Sequence, residues 1–155
     1  VLIDTKQGGK IVSFTDAVLS GYGSTARTLA GREGGIVFPG VLDSGEKNTK
    51  EINAETLWTT LGGRNNPVGE VFVYDASFIR LKEISLSYSF PKSVLGKLPF
   101  TGLSLGIDGK NLCYLQNKAG IFDPEMTVGT GNNQALEAFA LPSTRSFGIN
   151  LNVSF

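Results

Sequence analysis

The sequence predicts an all-β fold: antiparallel strands from the wall of a transmembrane barrel, joined by short turns at one end and long loops at the other. Three observations predict it. The chain closes on a strict alternation, with Phe147, Ile149, Leu151, Val153 and Phe155 apolar and Gly148, Asn150, Asn152 and Ser154 small and polar between them. A period of two places these sets on opposite faces of one strand. Two further segments alternate in the same way, and the connections between segments are very unequal in length. Composition agrees, since 20 Gly, 10 Phe and 4 Tyr favour strands and turns over helices.

Taken in order, residues 1–5 read as the tail of a strand, and Thr5-Lys-Gln-Gly-Gly9 as a tight turn. Residues 10–20 are read as a second strand. Residues 21–75 form a long polar connection rich in Gly, Asn and Thr. Within it, the stretch from Asn53 to Gly62-Gly63 predicts a short helix, with Asn53 as N-cap and glycine as the stop. Residues 77–90 form a strand whose second half places Ile84, Leu86, Tyr88 and Phe90 opposite Ser85, Ser87 and Ser89. Its first half is out of phase, because Arg80 and Lys82 fall on the apolar face; either a bulge shifts the register or the strand runs on into water.

Residues 91–100 make a short connection, with one helical turn expected over 93–98. Residues 101–115 alternate Leu103, Leu105 and Ile107 with Gly102, Ser104, Gly106 and Asp108, and the phase changes near Gly109. Residues 116–142 form a second long loop, and 144–155 the closing strand. Alternation alone does not separate a lipid-facing strand from one in a soluble sandwich. The unequal connections favour the membrane: loops this long are uncommon in compact soluble domains, whereas membrane barrels set short periplasmic turns against long outer loops. With Phe155 in the periplasm, 144–155 and 77–90 descend, 101–115 and 10–20 ascend, and 1–5 ends a further descending strand. Five strands cannot close a barrel, so the chain is expected to be part of something longer.

Charge and chemistry exclude several other classes. Lys plus Arg and Asp plus Glu both number 14, leaving no basic footprint for nucleic acid. Cys113 is the single cysteine and there is no histidine, which removes an internal disulfide and the usual zinc and nucleophile constellations. No stretch approaches the length of an apolar membrane helix. Asp123-Pro-Glu125 is better read as turn chemistry than as an acid/base pair or, with Asn132, a calcium site. Asp75, Arg80, Lys82 and Glu83 are charges expected where a strand leaves the membrane. Trp58, beside Leu57 and Leu61, is read as the anchor of its helix rather than as a sugar platform. Gly31-Arg32-Glu33 with Gly34-Gly35 lacks the lysine of a phosphate loop. No catalytic residues, metal ligands or cofactors are assigned.

Several motifs occur together and in order: Leu2-Ile-Asp-Thr-Lys-Gln-Gly-Gly9, Thr28-Leu-Ala-Gly-Arg-Glu-Gly-Gly35 with Pro39-Gly-Val41, and Tyr74-Asp-Ala-Ser-Phe-Ile-Arg-Leu-Lys-Glu-Ile-Ser-Leu86. Tyr88-Ser-Phe-Pro91, Gly109-Lys-Asn-Leu112, Asp123-Pro-Glu125 and Leu141-Pro-Ser-Thr-Arg-Ser-Phe-Gly148 follow. In this arrangement the chain resembles the C-terminal region of SusC/RagA-type TonB-linked outer-membrane transporters, nearly end to end. The resemblance implies a 22-stranded, plugged barrel in the cell outer membrane, of which residues 1–155 form the C-terminal part. It implies import of oligosaccharides or peptides, driven by the TonB complex through an N-terminal region not present here and aided by a SusD-like surface lipoprotein. It also implies that the Phe155 terminus is read by the barrel-assembly machinery. Phe147, Ile149, Leu151, Val153 and Phe155 are then expected to face membrane lipid. The alternatives are a soluble all-β glycan-binding or adhesion module and, more remotely, a hydrolase using Asp123 and Glu125.

Overall fold

The computed structural model describes residues 1–96, 99, 101–129 and 131–155. In chain order the elements are β1 (Leu2–Lys6), β2 (Lys10–Ser13), α1 (Phe14–Gly21), β3 (Ile36–Val37), β4 (Glu51–Ile52) and α2 (Ala54–Leu61). There follow β5 (Val73–Asp75), β6 (Phe78–Ser89), α3 (Lys92–Leu95), β7 (Gly102–Asn117), β8 (Leu136–Glu137) and β9 (Ser146–Ser154). They fold into two compact units. The first comprises Val1–Gly9, Ala76–Met126 and Leu141–Phe155; the second comprises Lys10–Asp75 and Thr127–Ala140.

The first unit is a four-stranded sheet in the order β1-β6-β7-β9, antiparallel throughout. The three strands expected over 77–90, 101–115 and 144–155 are β6, β7 and β9, and β9 pairs with β7 as anticipated. Where the phase of β6 breaks, its pairing is irregular and the apolar band gives way to charge. Pairing of β6 with β7 slips between Ile79 and Arg80 and again between Leu81 and Glu83, the extra residues lying on β7. Asn111, at the second slip, takes a φ of 52°. The helical turn after Pro91 is α3; Lys97 and Leu98 of the expected 93–98 turn lie outside the described residues.

Two expectations near the start are corrected. Residues 10–20 are a strand only as far as Ser13; α1 then begins, because Ser13 is an N-cap whose hydroxyl accepts from the Asp16 amide at 3.0 Å. Ala17 and Val18 then fall on one buried helical face. Nor does the Thr5–Gly9 turn join a hairpin. β1 pairs with β6, from Ile3 opposite Leu81 to Lys6 opposite Phe78, while β2 pairs with β5 and β8. The sheet of the first unit therefore has four strands, and β1 runs in the direction of β7, opposite to that expected.

The asymmetry of connections becomes cleaner as a result. β6 and β7 are joined by residues 90–101 at the end of the sheet where Ser154 pairs with Gly102. At the other end, where Lys6 meets Phe78 and Phe78 meets Asn117, the chain makes both long excursions, 7–77 and 118–145. The first leaves and returns at adjoining residues, since the Ala76 amide donates to the Gly9 carbonyl at 3.1 Å.

The second unit is built from those excursions. β5-β2-β8 form a small mixed sheet, with β8 parallel to β2, and β3 pairs with β4. α2 is the helix expected from the sequence: the Asn53 side chain accepts from the Glu55 amide and the helix stops at Gly62. Ala54, Leu57 and Trp58 are its buried face, packed by Ile36, Phe38, Ile52, Leu61 and Val71. The helices α1 and α2 approach through glycine: a Cβ on Gly21 would stand 2.4 Å from the Gly63 nitrogen. Gly21→Ala must therefore force two backbones apart. It should destabilise the second unit by about 1–3 kcal/mol despite alanine's better helix propensity. Thermal unfolding together with loss of hydrogen-exchange protection at the Gly63 amide, which donates to the Ala17 carbonyl at 2.8 Å, measures it.

Candidate functional site

Residues paired across an antiparallel ladder share a face, so the register of β7 assigns both faces of the sheet. Leu86 pairs with Ile107 and Ile107 with Ile149; Tyr88 pairs with Leu105 and Leu105 with Leu151; Leu103 pairs with Val153. This face is apolar from strand to strand. Gly109 pairs with Phe147, and a Cβ on Gly109 would reach the Phe147 ring at 3.3 Å, so the glycine leaves the space into which the aromatic side chain lies. The same ladder puts Ser87, Gly106 and Asn150 together on the opposite face, next to Ser85, Asp108 and Gly148. There the Asn150 amide donates to Asp108 at 2.8 Å.

The apolar face is uncovered. Phe147 and Ile149 are each 78% exposed, Leu151 63%, Val153 36% and Phe155 84%. Leu86, Tyr88, Leu105 and Ile107 of the neighbouring strands are also exposed. None of the five closing-strand residues packs into a core, and the first unit's buried apolar residues, among them Phe78, Ala76 and Leu95, lie elsewhere.

Toward the end of the sheet that carries the excursions, charge replaces apolar surface. Arg80, on the strand read as leaving the membrane, is 4% exposed and ion-pairs with Glu125 and, at 3.5 Å, with Asp4. Lys82 joins the same Asp4 at 3.1 Å. The Arg80 guanidinium lies 5.8 Å from the Phe78 ring centroid and 5.6 Å from that of Tyr114. Glu125 thus serves as an ion-pair partner. Asp123 accepts from the Tyr114 hydroxyl, from the Ser143 hydroxyl and amide, and from the Glu125 amide at 3.0 Å. Asp123-Pro-Glu125 is turn chemistry, and it ties both ends of the second excursion to the sheet.

In the second unit, Arg27 occupies the equivalent structural role. Its guanidinium bonds the buried Asp16 at 2.8 Å and the Tyr74 hydroxyl, and lies 5.0 Å from the Trp58 ring and 5.4 Å from that of Phe72. Burial, then the hydrogen bond to Asp16 and its charge, push the Tyr74 hydroxyl pKa well above its ordinary value, so it stays protonated as a donor. Glu137, also buried, accepts from the Ser13 and Thr15 hydroxyls. Neither Arg27 nor Glu137 is conspicuous in the sequence, because their partners lie on other segments. Trp58 does anchor α2, as read. Cys113 is half-buried and carries no disulfide. Among the described residues, no three His, Cys, Asp or Glu side chains gather as a metal site.

With this geometry established, the comparisons with known proteins bear on it directly. No protein-family model matches the chain. Its fold matches a chain of the RagAB peptide importer in the open-open state with a TM-score of 0.62 at 19% identity, over 99% of this chain and 15% of that one. In the closed-closed state the TM-score is 0.60, also at 19% identity and over the same shares of both chains. The fold is thus that of a piece of a RagA-like barrel; no helix among the described residues is long and apolar enough to cross a membrane. In sequence, the chain is 34% identical over 98 residues to TonB-dependent receptor P3 of Formosa agariphila, a match covering 59% of this chain. It spans about a tenth of that relative's length, 10% being matched. Fold and sequence together bear out the resemblance to SusC/RagA-type TonB-linked outer-membrane transporters.

The Asp123 knot carries a pH dependence. Burial alone would raise the carboxyl pKa, but hydrogen bonds from the Ser143 and Tyr114 side chains and from the Glu125 and Ser143 amides outweigh it, holding the pKa below the ordinary 3.8. A depressed carboxylate stabilises the fold above its unfolded pKa, and that contribution fades as pH falls through the folded value. Hydrogen-exchange protection of the Glu125 and Ser143 amides should therefore hold down to about pH 4 and be lost on further acidification. In Asp123→Asn the protection should be weaker and flat across that range.

Proposed function

We infer that this chain is the C-terminal wall segment of the barrel of a TonB-dependent outer-membrane transporter. The whole is a 22-stranded, plugged barrel that imports oligosaccharides or peptides with a SusD-like surface lipoprotein. The observation that carries the reading is the continuous, uncovered apolar face formed in register by β6, β7 and β9, backed by a face of serine, glycine, asparagine and aspartate. A contiguous exposed apolar surface of this kind is foreign to a soluble monomer and suits lipid, while its polar reverse suits a hydrated lumen. β9, Ser146–Ser154, has 9 residues, the length a tilted strand needs to cross the hydrocarbon core. A soluble glycan-binding module would have to cover this face.

Orientation follows from the connections. With Phe155 periplasmic, β9 and β6 descend, β7 and β1 ascend, and both long excursions emerge outside, where substrate and a surface lipoprotein are met. The sheet's edges, β1 and β9, pair with strands from the remainder of the barrel, since backbone groups left open in lipid cost several kcal/mol each. Energy coupling to the TonB complex belongs to the plug side of the whole protein, and the segment's part is the wall and its outer loops. No catalytic step is required of it.

Two measurements test the reading. Ile149→Arg or Leu151→Arg should each destabilise the folded protein in lipid bilayers by about 2–4 kcal/mol, whereas Asn150→Arg on the polar face should be far milder. Equal costs on the two faces, determined by reversible unfolding in bilayers, would remove the lipid assignment. Deleting Phe155 should prevent assembly into the outer membrane, scored by heat-modifiable migration and surface protease access, before any effect on uptake can be read. Normal assembly without it would show that the terminus is not the assembly signal.

A further inference from the structure

The apolar face of the first unit is not flat. Across the ladder, Ile84, Gly109 and Phe147 form one row, and Leu86, Ile107 and Ile149 the next. The first row has no side chain at its centre. β7 carries an extra residue one pair further on, between Lys110 and Cys113, and Leu112 comes from that bulge. A Cβ on Gly109 would stand 2.9 Å from Leu112 Cδ2 and 3.3 Å from the Phe147 ring, so both side chains reach over the glycine. With Ile84, Leu86, Ile107 and Ile149 they wall a groove of about 400 Å³. Asp108 also borders it, but its carboxylate belongs to the reverse face, where the Asn150 amide donates to it.

The groove lies toward the end of the sheet that carries the excursions, since Phe147 is the second residue of β9. Nearby on this face the carboxylates are already taken. Asp4 and Glu125 hold Arg80, Asp4 also holds Lys82, and Asp123 accepts from Tyr114 and Ser143. Arg145 is left without such a partner. It is exposed, and it forms no ion pair or hydrogen bond with a described residue. It stands two residues after Ser143 and two before Phe147, so by alternation it falls on the face of the groove. Lys110 is exposed as well, but it pairs with Glu83 and Ser146 and so belongs to the reverse face. An unneutralised guanidinium beside an apolar groove matches a molecule with a hydrocarbon chain and an anionic head.

We propose that the groove is a specific lipid site: it seats one acyl chain of a phosphorylated lipid of the outer leaflet, and Arg145 holds that lipid's phosphate. A chain lying between Leu112 and Phe147 is contacted from its flanks as well as from below, whereas the rest of the face touches a chain on one side only. The guanidinium fork can take two oxygens of one phosphate. A free phosphate lacks the chain and an uncharged lipid lacks the phosphate, so neither engages both parts. The site rests on the lipid-facing reading of this sheet and deepens it, because it names the lipid that the wall retains rather than merely meets. With both excursions outside, the groove lies at the level of the outer leaflet.

The test is native mass spectrometry of the whole barrel that contains this segment, in detergent micelles titrated with lipid A, with lipid A stripped of its phosphates, and with phosphatidylglycerol. Lipid A should be retained, and its phosphate-free form should bind at least about tenfold more weakly. Arg145→Gln should weaken lipid A about five- to tenfold. Ile149→Trp, which fills the groove with an apolar ring, should weaken it about threefold or more. Lys110→Gln, which removes a cation from the reverse face, should leave retention unchanged. Heat-modifiable migration scores the folding of every variant. Lipid A binding that is absent, or indifferent to its phosphates, to Arg145→Gln or to Ile149→Trp, overturns the proposal. So does equal weakening by Lys110→Gln, or tighter retention of phosphatidylglycerol. The arginine substitutions on β9 judge the lipid-facing reading separately: a barrel that tolerates Ile149→Arg refutes the wall itself, and one that fails only in lipid retention refutes the groove alone.

Discussion

β7 is paired on both sides, and in an antiparallel ladder paired residues look out on the same face. Fixing its register against β6 and β9 therefore fixes what the whole sheet presents to its surroundings. A slip of a single residue on either side would carry Ile107 or Ile149 to the serine and asparagine face and expose that face's polar groups on the apolar side. The bulges respect this constraint. They fall at Arg80 and between Leu81 and Glu83, beyond the alternating stretch, so the register is undisturbed from Ile84 to Ser89 and changes only where the surface turns from apolar to charged.

That change of surface is what allows Arg80 to be buried. A guanidinium inside a sheet is tolerable only with its charge and most of its donors matched. Here Asp4 comes from β1, Glu125 from the second excursion, and two aromatic rings from β6 and β7 flank it. Asp123, two residues from Glu125, repeats the logic with neutral donors from Tyr114 and Ser143. The excursion is thereby tied to the sheet at the level where the apolar band stops.

The legible parts of the sequence were those whose determinants are local. Alternation disclosed β6, β7 and β9, and the Asn53 cap with its glycine stop disclosed α2. The stretch from Lys10 to Ser20 misled because Lys10–Ser13 is truly a strand and passes into a helix without a break. Only the Ser13 cap and the Ala17–Val18 spacing marked the change of period. The partner of β1 was not legible, because a turn such as Thr5–Gly9 is compatible with a hairpin and nothing nearby says that the strand instead meets β6, some seventy positions on. Nor was the burial of Arg80, Arg27 and Glu137, whose compensating groups are distant in sequence.

The first excursion leaves the sheet at Gly9 and rejoins it at Ala76, and those residues are hydrogen-bonded neighbours. Such a point of departure and return lets a lineage exchange everything between them without disturbing a strand of the wall. Yet the exchange is not free. β8, from the second excursion, runs alongside β2, and its Glu137 satisfies Ser13 and Thr15. A new first excursion thus needs a matching second one, so the two should be inherited as a pair, and a chimera that swaps one alone would strand a buried carboxylate.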